Sequence, residues 1–363
     1  MGRARLAGKP TLREVADRAG VSIATASRAM TGRGQVSAAT AVAVSRAAKQ
    51  LGYAVDDVRA RRRERRLAVI VGSLSGLFVD QIVEAVEAVN GAGTTGCVVA
   101  TTGDDPVREL TQLRSLLEDP TVSAVVVAGG RWSSAGYVQD LAALVREYAV
   151  ADKPLVFCGR PAVDAGSPGL VVNYDNVGGA AAAMSYLLSH GHRDVLFVRG
   201  PLGFSTSDAR ARGFEQACAE FGVEVNPALV RIGSRDRRTG VEAVRAALQD
   251  GPAFTAVFGE CDLIALGALA ALEDAGIAVP EQMSVIGFDD MLLSADLRVP
   301  LTTVHVPFGD VGYTAARMAL QPDRANREGK LVAGTHLVIR KSVLPRSATP
   351  GGAAVALPVE RPR

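Results

Sequence analysis

Side chains that can neutralise phosphate are concentrated at the start of the chain. Residues 1–66 contain 15 Lys and Arg against 5 Asp and Glu, a net charge of +10. The whole chain has 40 basic and 38 acidic residues, so residues 67–363 have 25 and 33, a net charge of −8. Each basic side chain near a phosphate releases a condensed counterion. The basic segment therefore predicts a nucleic-acid contact, whereas the acidic residues 67–363 must have a different function.

Part of this charge lies on two short predicted helices. Thr11 can cap the first helix, and Gly20 ends it with a tight turn. Ser22 then caps a second helix from Ile23 to Met30. Two short helices around a glycine turn predict a helix-turn-helix, whose second helix enters the major groove of DNA. The alternative is an ordinary helical hairpin.

A third helix and an arginine-rich stretch follow. The helix is predicted from its cap Ser37 to Gly52, with an inner face of Val42, Ala43, Ala47 and Leu51. The stretch 59–66 holds six arginines in eight residues. It can follow phosphates or lie in a narrowed minor groove, where the negative potential is enhanced. A solvated linker is the alternative.

From Leu67 onwards, short apolar runs alternate with helical stretches. The runs lie at 67–71, 97–101, 123–129, 170–173, 194–200, 228–232, 254–259 and 283–288. This alternation is typical of parallel strands joined by helices, and there are enough strands for two doubly wound sheets. Ligands of such folds bind at the carboxyl ends of the strands, so we expect a cleft between two lobes.

Missing motifs disfavour several classes of protein. There is no glycine-rich dinucleotide motif after a strand, no P-loop, no HExxH and no GxSxG, so we expect neither an enzyme nor a cofactor. The four dispersed cysteines predict free thiols in a reducing cytosol, and the four scattered histidines do not suggest a metal site. Without an apolar leader or an 18-residue apolar run, a cytoplasmic protein with no membrane partner is expected.

The chain resembles the lactose-repressor/galactose-repressor (LacI/GalR) family. The resemblance rests on TLREVADRAGVSIATASRAMTGRGQVSAATAVAVSRAAKQLGY in the head and on VVNYDNVGGA, SHGHRDVLFVRGP and FTAVFGECDLIALGALAALEDAGIAVPEQMSVIGFDD in the body. It covers about residues 11–345. It implies an N-terminal all-α helix-turn-helix head and an α/β body of two doubly wound parallel-sheet lobes, like the periplasmic sugar-binding proteins.

The resemblance implies five domains or segments, and each of the two lobes is built from two separate stretches of the chain. They are the helix-turn-helix domain 1–55, an arginine-rich hinge 56–66, a first lobe of 67–163 with 307–330, a second lobe of 164–306 with 331–346, and a tail 347–363. The tail is rich in Pro, Ala and Gly and is expected to be disordered. It lacks the heptad helix that makes some relatives tetrameric, so we expect a homodimer.

The resemblance also implies a set of DNA contacts. Ile23, Ala24 and Arg28 would read bases of a pseudo-palindromic double-stranded operator. Arg28 can contact a guanine in bidentate fashion, while the other two offer only apolar contacts. The remaining predicted contacts are Thr11, Ser22, Thr25, Ser27, Ser37, Tyr53, Arg59 and Arg62.

The hinge departs from the family pattern. Val55 stands where a proline is usual, and Arg62 falls where relatives carry a leucine that wedges into the minor groove. An arginine cannot pry apart a base step as an apolar side chain does. Bending of the operator at its centre is therefore not predicted by this sequence.

A second set of residues is implied to contact an effector in the cleft. The set is Ser73, Phe78, Arg210, Arg235, Cys261, Asp262, Asp289 and Phe308. Arg210 and Asp289 correspond to a cleft arginine and its paired carboxylate, which suit vicinal hydroxyls of a ligand. For each arginine and aspartate of the set, a purely structural ion pair is the alternative.

Three cleft positions differ from the sugar-binding pattern. Cys261 replaces an asparagine that donates to a hydroxyl, and Val306 stands where a polar residue often sits. Arg235 lies roughly where many relatives place an aromatic ring that stacks on the sugar. An added arginine without a stacking ring would suit a ligand with a carboxylate or phosphate.

The leading interpretation is a sequence-specific DNA-binding transcriptional regulator, expected to repress. A small polar effector, a sugar or a sugar derivative bound between the lobes, would modulate its operator affinity. A solute-binding protein or a sugar-processing enzyme of the same α/β architecture is the alternative, and a regulator that no longer senses a ligand is a narrower one.

Overall fold

The computed structural model describes residues 10–31, 36–51, 53, 66–74, 79–90, 96–164, 169–250, 252–321 and 329–346. They form two compact units, a helical head and an α/β body that begins at Leu67. Three predicted contact residues, Arg59, Arg62 and Phe78, lie outside the described residues, as do almost all of the hinge and the whole tail.

The described head contains α1 (Leu12–Ala19), α2 (Ile23–Thr31) and α3 (Ala38–Leu51). Thr11 and Glu14 form a capping box at the start of α1: the Thr11 amide donates to the Glu14 carboxylate at 2.7 Å, and the Glu14 amide donates to the Thr11 hydroxyl at 3.4 Å. Gly20 adopts φ 66°, a left-handed conformation that glycine takes without strain. The predicted order of helix, glycine turn and helix is therefore confirmed.

The inner face predicted for α3 was wrong in part. Val42 and Ala43 are exposed, whereas Val44, Ala47 and Ala48 are buried against α1 and α2. Residues 44, 47, 48 and 51 recur at intervals of three and four, so they form one stripe on the helix. Residues 42 and 43 precede this stripe and face away from it.

The body alternates strands and helices, as the apolar runs predict. In chain order its elements are β1 (Arg66–Val71), α4 (Val79–Asn90), β2 (Gly96–Thr101), α5 (Pro106–Glu118), β3 (Val122–Ala128), α6 (Ala135–Val150), β4 (Leu155–Cys158), β5 (Leu170–Tyr174), α7 (Asn176–Ser189), β6 (Val195–Arg199), α8 (Ser205–Glu220), β7 (Val230–Ile232), α9 (Arg237–Asp250), β8 (Ala256–Gly259), α10 (Asp262–Asp274), β9 (Ser284–Ile286), β10 (Thr303–His305), α11 (Phe308–Leu320), β11 (Lys330–Ala333) and β12 (His336–Val338). Single 3₁₀ turns occur at Pro227–Leu229 and Leu292–Ala295.

The first lobe is built on a six-stranded sheet of order β11-β5-β4-β3-β1-β2. The strands β3, β4, β5 and β11 pair in parallel, with Val156 opposite Leu170 and Val171 opposite Lys330. Helix α11 packs on this sheet and against α4. The sheet extends beyond the lobe boundaries predicted at residues 164 and 331, because β5 and β11 pair here and not in the second lobe.

The second lobe is built on a four-stranded parallel sheet of order β7-β6-β8-β9. Helices α7 and α8 pack together, as do α9 and α10. The chain passes between the lobes after β5, after β10 and after β11. Strands β10 and β12, next to the second and third passages, pair antiparallel, with Val304 opposite Leu337. None of the described helices is long and apolar enough to cross a membrane.

Candidate functional site

Helix α2 presents the residues that are predicted to read bases, Ile23 and Ala24 in its first turn and Arg28 in its last. Ser22, Ile23, Ala24 and Arg28 are exposed, and the Ile23 side chain is 47% accessible although it is apolar. The Ser22 hydroxyl accepts a hydrogen bond from the Thr25 amide at 3.1 Å and so caps the helix. Exposed side chains at the N-terminal end of the second helix are what a helix-turn-helix needs in the major groove.

The remaining described head residues of this set are either helix caps or half-buried. The hydroxyls of Thr11 and Ser37 cap α1 and α3, the latter by accepting from the Thr40 amide at 3.2 Å. Thr25 and Ser27 are half-buried on α2. Tyr53 is also half-buried, and its amide donates to the carbonyl of Ala48.

A cavity of about 150 Å³ lies between the two lobes of the body. Its walls follow the carboxyl ends of strands in both sheets, where open α/β folds bind ligands. The first lobe contributes Gly72, Ser73, Gln81, Asp104, Gly129, Gly130 and Phe308, and the second contributes Arg235, Asp236, Cys261, Leu263, Asp289, Asp290 and Met291. The structure thus brings together five of the predicted effector residues: Ser73, Arg235, Cys261, Asp289 and Phe308.

Arg210 does not line this cavity, because its guanidinium is fully buried behind Asp289. It donates to the Asp289 carboxylate at 2.7 Å, to the Asn176 side chain at 2.9 Å and to the Glu260 carbonyl at 2.6 Å. Its charge also lies 3.7 Å from the centre of the Phe288 ring. Burial by itself lowers the pKa of Arg210, but Asp289, Tyr174 and Glu260 together more than offset this and the pKa is raised. Arg210 therefore fixes the position of Asp289.

Asp289 and Asp290 form a turn with left-handed backbone at both residues, φ 115° and 56°. Asp tolerates the φ of Asp290, but a φ of 115° is adopted by a non-glycine residue only where the surroundings enforce it. The Asp289 amide donates to the Val304 carbonyl, and the Asp290 carboxylate accepts from Arg340 at 2.6 Å and faces His305 at 2.9 Å. Both carboxylates thus have partners before any ligand binds.

Asp262 is buried beneath this turn and does not reach the cavity. Its carboxylate accepts from the Met291 amide at 2.8 Å and from the hydroxyls of Ser294 and Thr303 at 2.6 and 2.5 Å. Burial, together with the charge of Asp289, raises the pKa of Asp262 to about 7. The predicted ligand residue instead ties the segment after Asp290 to the strand β10.

Glu260 is a charged residue of the cleft that the sequence analysis missed. It is fully buried next to Cys261, and its Oε1 accepts from the Ser207 hydroxyl at 2.7 Å. The Arg235 Nε lies 3.4 Å from the same oxygen. Burial raises the pKa of the neighbouring Cys261 thiol to about 12, so this side chain is neutral. No spacing or periodicity in the sequence connects Glu260 with Ser207 or Arg235.

A contact between the lobes beside the cavity was also missed. Trp132, in the first lobe, forms a backbone bridge with Phe204, in the second, and their rings meet edge to face at 5.4 Å. The Trp132 indole donates to the Asp104 carbonyl at 2.6 Å, and the Ser205 amide donates to the Arg131 carbonyl at 2.8 Å.

Within the described part of the chain, no group of His, Cys, Asp and Glu side chains could hold a metal ion.

Comparisons with known proteins agree with both units. Residues 11–56 match the model of the bacterial regulatory proteins of the lacI family, and residues 184–343 match that of a periplasmic binding protein-like domain. The chain is 33% identical over 350 residues to the HTH-type transcriptional regulator CelR of Thermobifida fusca, covering 92% of this chain and 98% of the relative. It is 29% identical over 341 residues to the HTH-type transcriptional repressor PurR of Pasteurella multocida, covering 93% and 99%.

A solved structure of a relative supports the same fold. The complex of the transcriptional regulator CelR with cellobiose is 31% identical and superposes with a TM-score of 0.65, covering 92% of this chain and 99% of that chain. The helix-turn-helix head, the two-lobed body and the identity along almost the whole length lead to one assignment. The chain belongs to the LacI family of DNA-binding transcriptional regulators.

Proposed function

We propose that this regulator is a repressor whose operator affinity changes when a sugar or sugar derivative binds between the lobes. The observation that carries the proposal is the cavity in which Ser73 and Phe308 face Asp289 and Arg235. Carboxylates and hydroxyls in fixed positions suit the vicinal hydroxyls of a sugar. Similarity to the CelR–cellobiose complex supports a sugar ligand, and similarity to PurR supports repression.

The head supports a direct contact with operator DNA. Ile23 is exposed in the first turn of α2 and Arg28 in its last turn, where the Arg28 Nε donates to the Ala24 carbonyl at 3.2 Å. The net charge of +10 over residues 1–66 favours phosphate contacts. Arg28 would form the bidentate contact with a guanine in each half-site. Effector and operator must change each other's affinity by the same factor, because binding free energies are linked.

Two half-sites require a homodimer, and the second lobe offers a surface for it. An apolar groove of about 300 Å³ is lined by Leu266, Leu269, Ala270, Leu297 and Val299. The charged residues Arg237, Glu273 and Arg298 lie around it. An apolar centre with a charged rim is the usual composition of a stable subunit interface.

Electrophoretic mobility shift on DNA upstream of the neighbouring genes tests the DNA contact. We expect a shift that weakens steeply as salt rises, since each phosphate contact releases counterions. Arg28→Ala should cost about 1–3 kcal/mol on the operator and relax selectivity at one guanine per half-site. Arg245→Ala, which removes an exposed arginine paired with Asp274 in the body, is the matched control. A flat salt dependence would exclude the DNA contact, and unchanged selectivity would remove Arg28 from the base-reading set.

A thermal-shift screen that includes cellobiose tests the effector. A sugar that stabilises the protein should change operator affinity, and Asp289→Asn should abolish that response while operator binding without sugar persists. Asp289→Asn retains the side-chain size, and its amide oxygen can still accept from Arg210. A full response in Asp289→Asn would place the ligand elsewhere. Ligand binding without any operator binding would favour the solute-binding alternative.

A further inference from the structure

An ion pair between a buried carboxylate and a partly exposed arginine forms part of the cavity wall. Glu260 is fully buried, and Arg235, which lines the cavity, approaches its Oε1 with Nε at 3.4 Å. Ser207 already donates to the same oxygen. The second oxygen, Oε2, is buried without a hydrogen-bond partner, and so is the Arg235 Nε. The carboxylate thus retains acceptor capacity that only a nearby donor can satisfy.

The packing around this pair depends on a glycine. A Cβ on Gly200 would stand 2.5 Å from both Glu260 Oε1 and Ser207 Oγ, and 2.7 Å from Cγ of Arg235. Contacts this short do not occur for real Cβ atoms, so the three side chains can pack here only because residue 200 has no side chain. The arrangement holds the Arg235 guanidinium between the Glu260 carboxylate and the cavity.

We infer that Glu260 sets the charge preference of the cleft by neutralising Arg235, so that the cleft accepts uncharged, hydroxyl-rich ligands and rejects carboxylates and phosphates. The inference rests on the proposed function, since it concerns the ligand of the same cavity. It reverses the expectation from the sequence that Arg235 suits an anionic ligand. That expectation considered the arginine without its buried partner.

The other charged groups of the cavity act in the same direction. Asp289 is paired with Arg210, and Asp290 with Arg340, so neither of these arginines is available to a ligand. Asp104 and Asp236 add two further carboxylates to the lining. Arg235 is the cation of the described lining, and its charge is matched by Glu260. An anion in the cavity would therefore meet like charge, which costs affinity.

Inorganic phosphate is the probe that tests this charge preference. Thermal shift and calorimetry, performed on the full chain at constant ionic strength, should show no saturable phosphate binding to the wild type. Glu260→Gln keeps the acceptor for Ser207 but removes the negative charge, so it should bind phosphate saturably, with an affinity at least about tenfold above the detection limit set by the wild type. The double variant Glu260→Gln/Arg235→Gln should lose that gain. Glu242→Gln, on the exposed face of the same lobe, is the control for an unspecific change in charge.

Two results would overturn the inference. One is saturable phosphate binding by the wild type that Arg235→Gln abolishes, which requires no folded Glu260 variant. The other is a Glu260→Gln protein with a wild-type circular dichroism spectrum and the phosphate affinity of the wild type. Both differ from a failure of the proposed function, which would appear as missing operator binding or as no neutral sugar ligand.

Discussion

Replacing Asp262 by asparagine should make the stability of the body less dependent on pH. The carboxyl group is buried under the Asp289–Asp290 turn, and burial with the charge of Asp289 raises its pKa from 3.8 to about 7. The folded state therefore holds this proton more tightly than the unfolded chain. Stability from this group is full below about pH 4 and is lost as the pH rises through 7.

The size of this effect follows from the two pKa values. The folded value is about 3 higher than the unfolded one, and each pKa unit corresponds to about 1.4 kcal/mol, so ionisation of Asp262 costs roughly 4 kcal/mol in total. Roughly 3 kcal/mol of this falls between pH 4.5 and pH 7, because the unfolded carboxyl group is already mostly ionised at the lower limit. Hydrogen bonds from Met291, Ser294 and Thr303 keep the cost from being larger.

The substitution Asp262→Asn supplies a neutral side chain of the same size that can retain the same partners. The amide oxygen can accept from the Met291 amide and the Ser294 hydroxyl, while the amide group donates to the Thr303 hydroxyl. Urea unfolding at fixed protein concentration, followed by circular dichroism from pH 4.5 to 7.5, measures the two pH profiles. The wild type should lose roughly 3 kcal/mol more than Asp262→Asn over this range. Asp274→Asn, which changes an exposed carboxylate of the same helix, should follow the wild type. Coincident profiles of wild type and Asp262→Asn would refute the raised pKa.

Two further predictions concern packing and buried charge. Gly267→Ala should lower the free energy of unfolding by about 1–3 kcal/mol, because its Cβ would collide with the Arg237 carbonyl; Gly309→Ala, with open space around its Cβ, should be neutral or stabilising by up to about 1 kcal/mol. Equal effects in urea unfolding would contradict this reasoning. Glu109→Gln leaves the buried guanidinium of Arg160 without the carboxylate that it now contacts at 2.7 and 3.1 Å, so it should cost about 3–5 kcal/mol. A loss below about 1 kcal/mol in the same assay would show that this pair is not effectively buried.

The head was predictable from the sequence because its signals act within one helical turn. Thr11, Ser22 and Ser37 each cap a helix through an amide three residues later, and Gly20 supplies the left-handed turn. Such local signals need no knowledge of the tertiary structure. The predicted inner face of α3 was wrong at Val42 because an alanine-rich helix offers several stripes of similar hydrophobicity.

Sheet membership in the body was less predictable because strand pairing is not local. The apolar runs identify strands, but both sheets use the same kind of run. β5 directly precedes the first passage between lobes, and nothing in its composition distinguishes the sheet that it joins. β11, assigned mostly to the other lobe, pairs with β5 across more than 150 residues of chain.

The same reasoning explains which parts of the cleft were predictable. Residues directly after strands, such as Ser73, Cys261 and Asp289, line the cavity, as parallel sheets require. Whether each arginine is paired or can contact a ligand was not predictable, because this depends on which carboxylate lies next to it in the fold. Arg210 is saturated by Asp289 and others, while Arg235 faces Glu260, contacts between residues 25 to 79 positions apart.

Under the proposed function, the position of Asp289 determines what an effector would change. A ligand shifts an equilibrium between two arrangements only if it binds one of them more tightly. The Asp289 amide donates to the Val304 carbonyl at 2.9 Å, and Val304 lies on β10, which carries the chain from the second lobe to the first. A ligand that draws the Asp289 carboxylate into the cavity must loosen it from Arg210 and displace a strained turn hydrogen-bonded to that crossover strand. Contact with Ser73 alone would leave this strand where it is, so we expect effectors that engage Asp289 to alter operator affinity and ligands confined to the first lobe to bind without consequence.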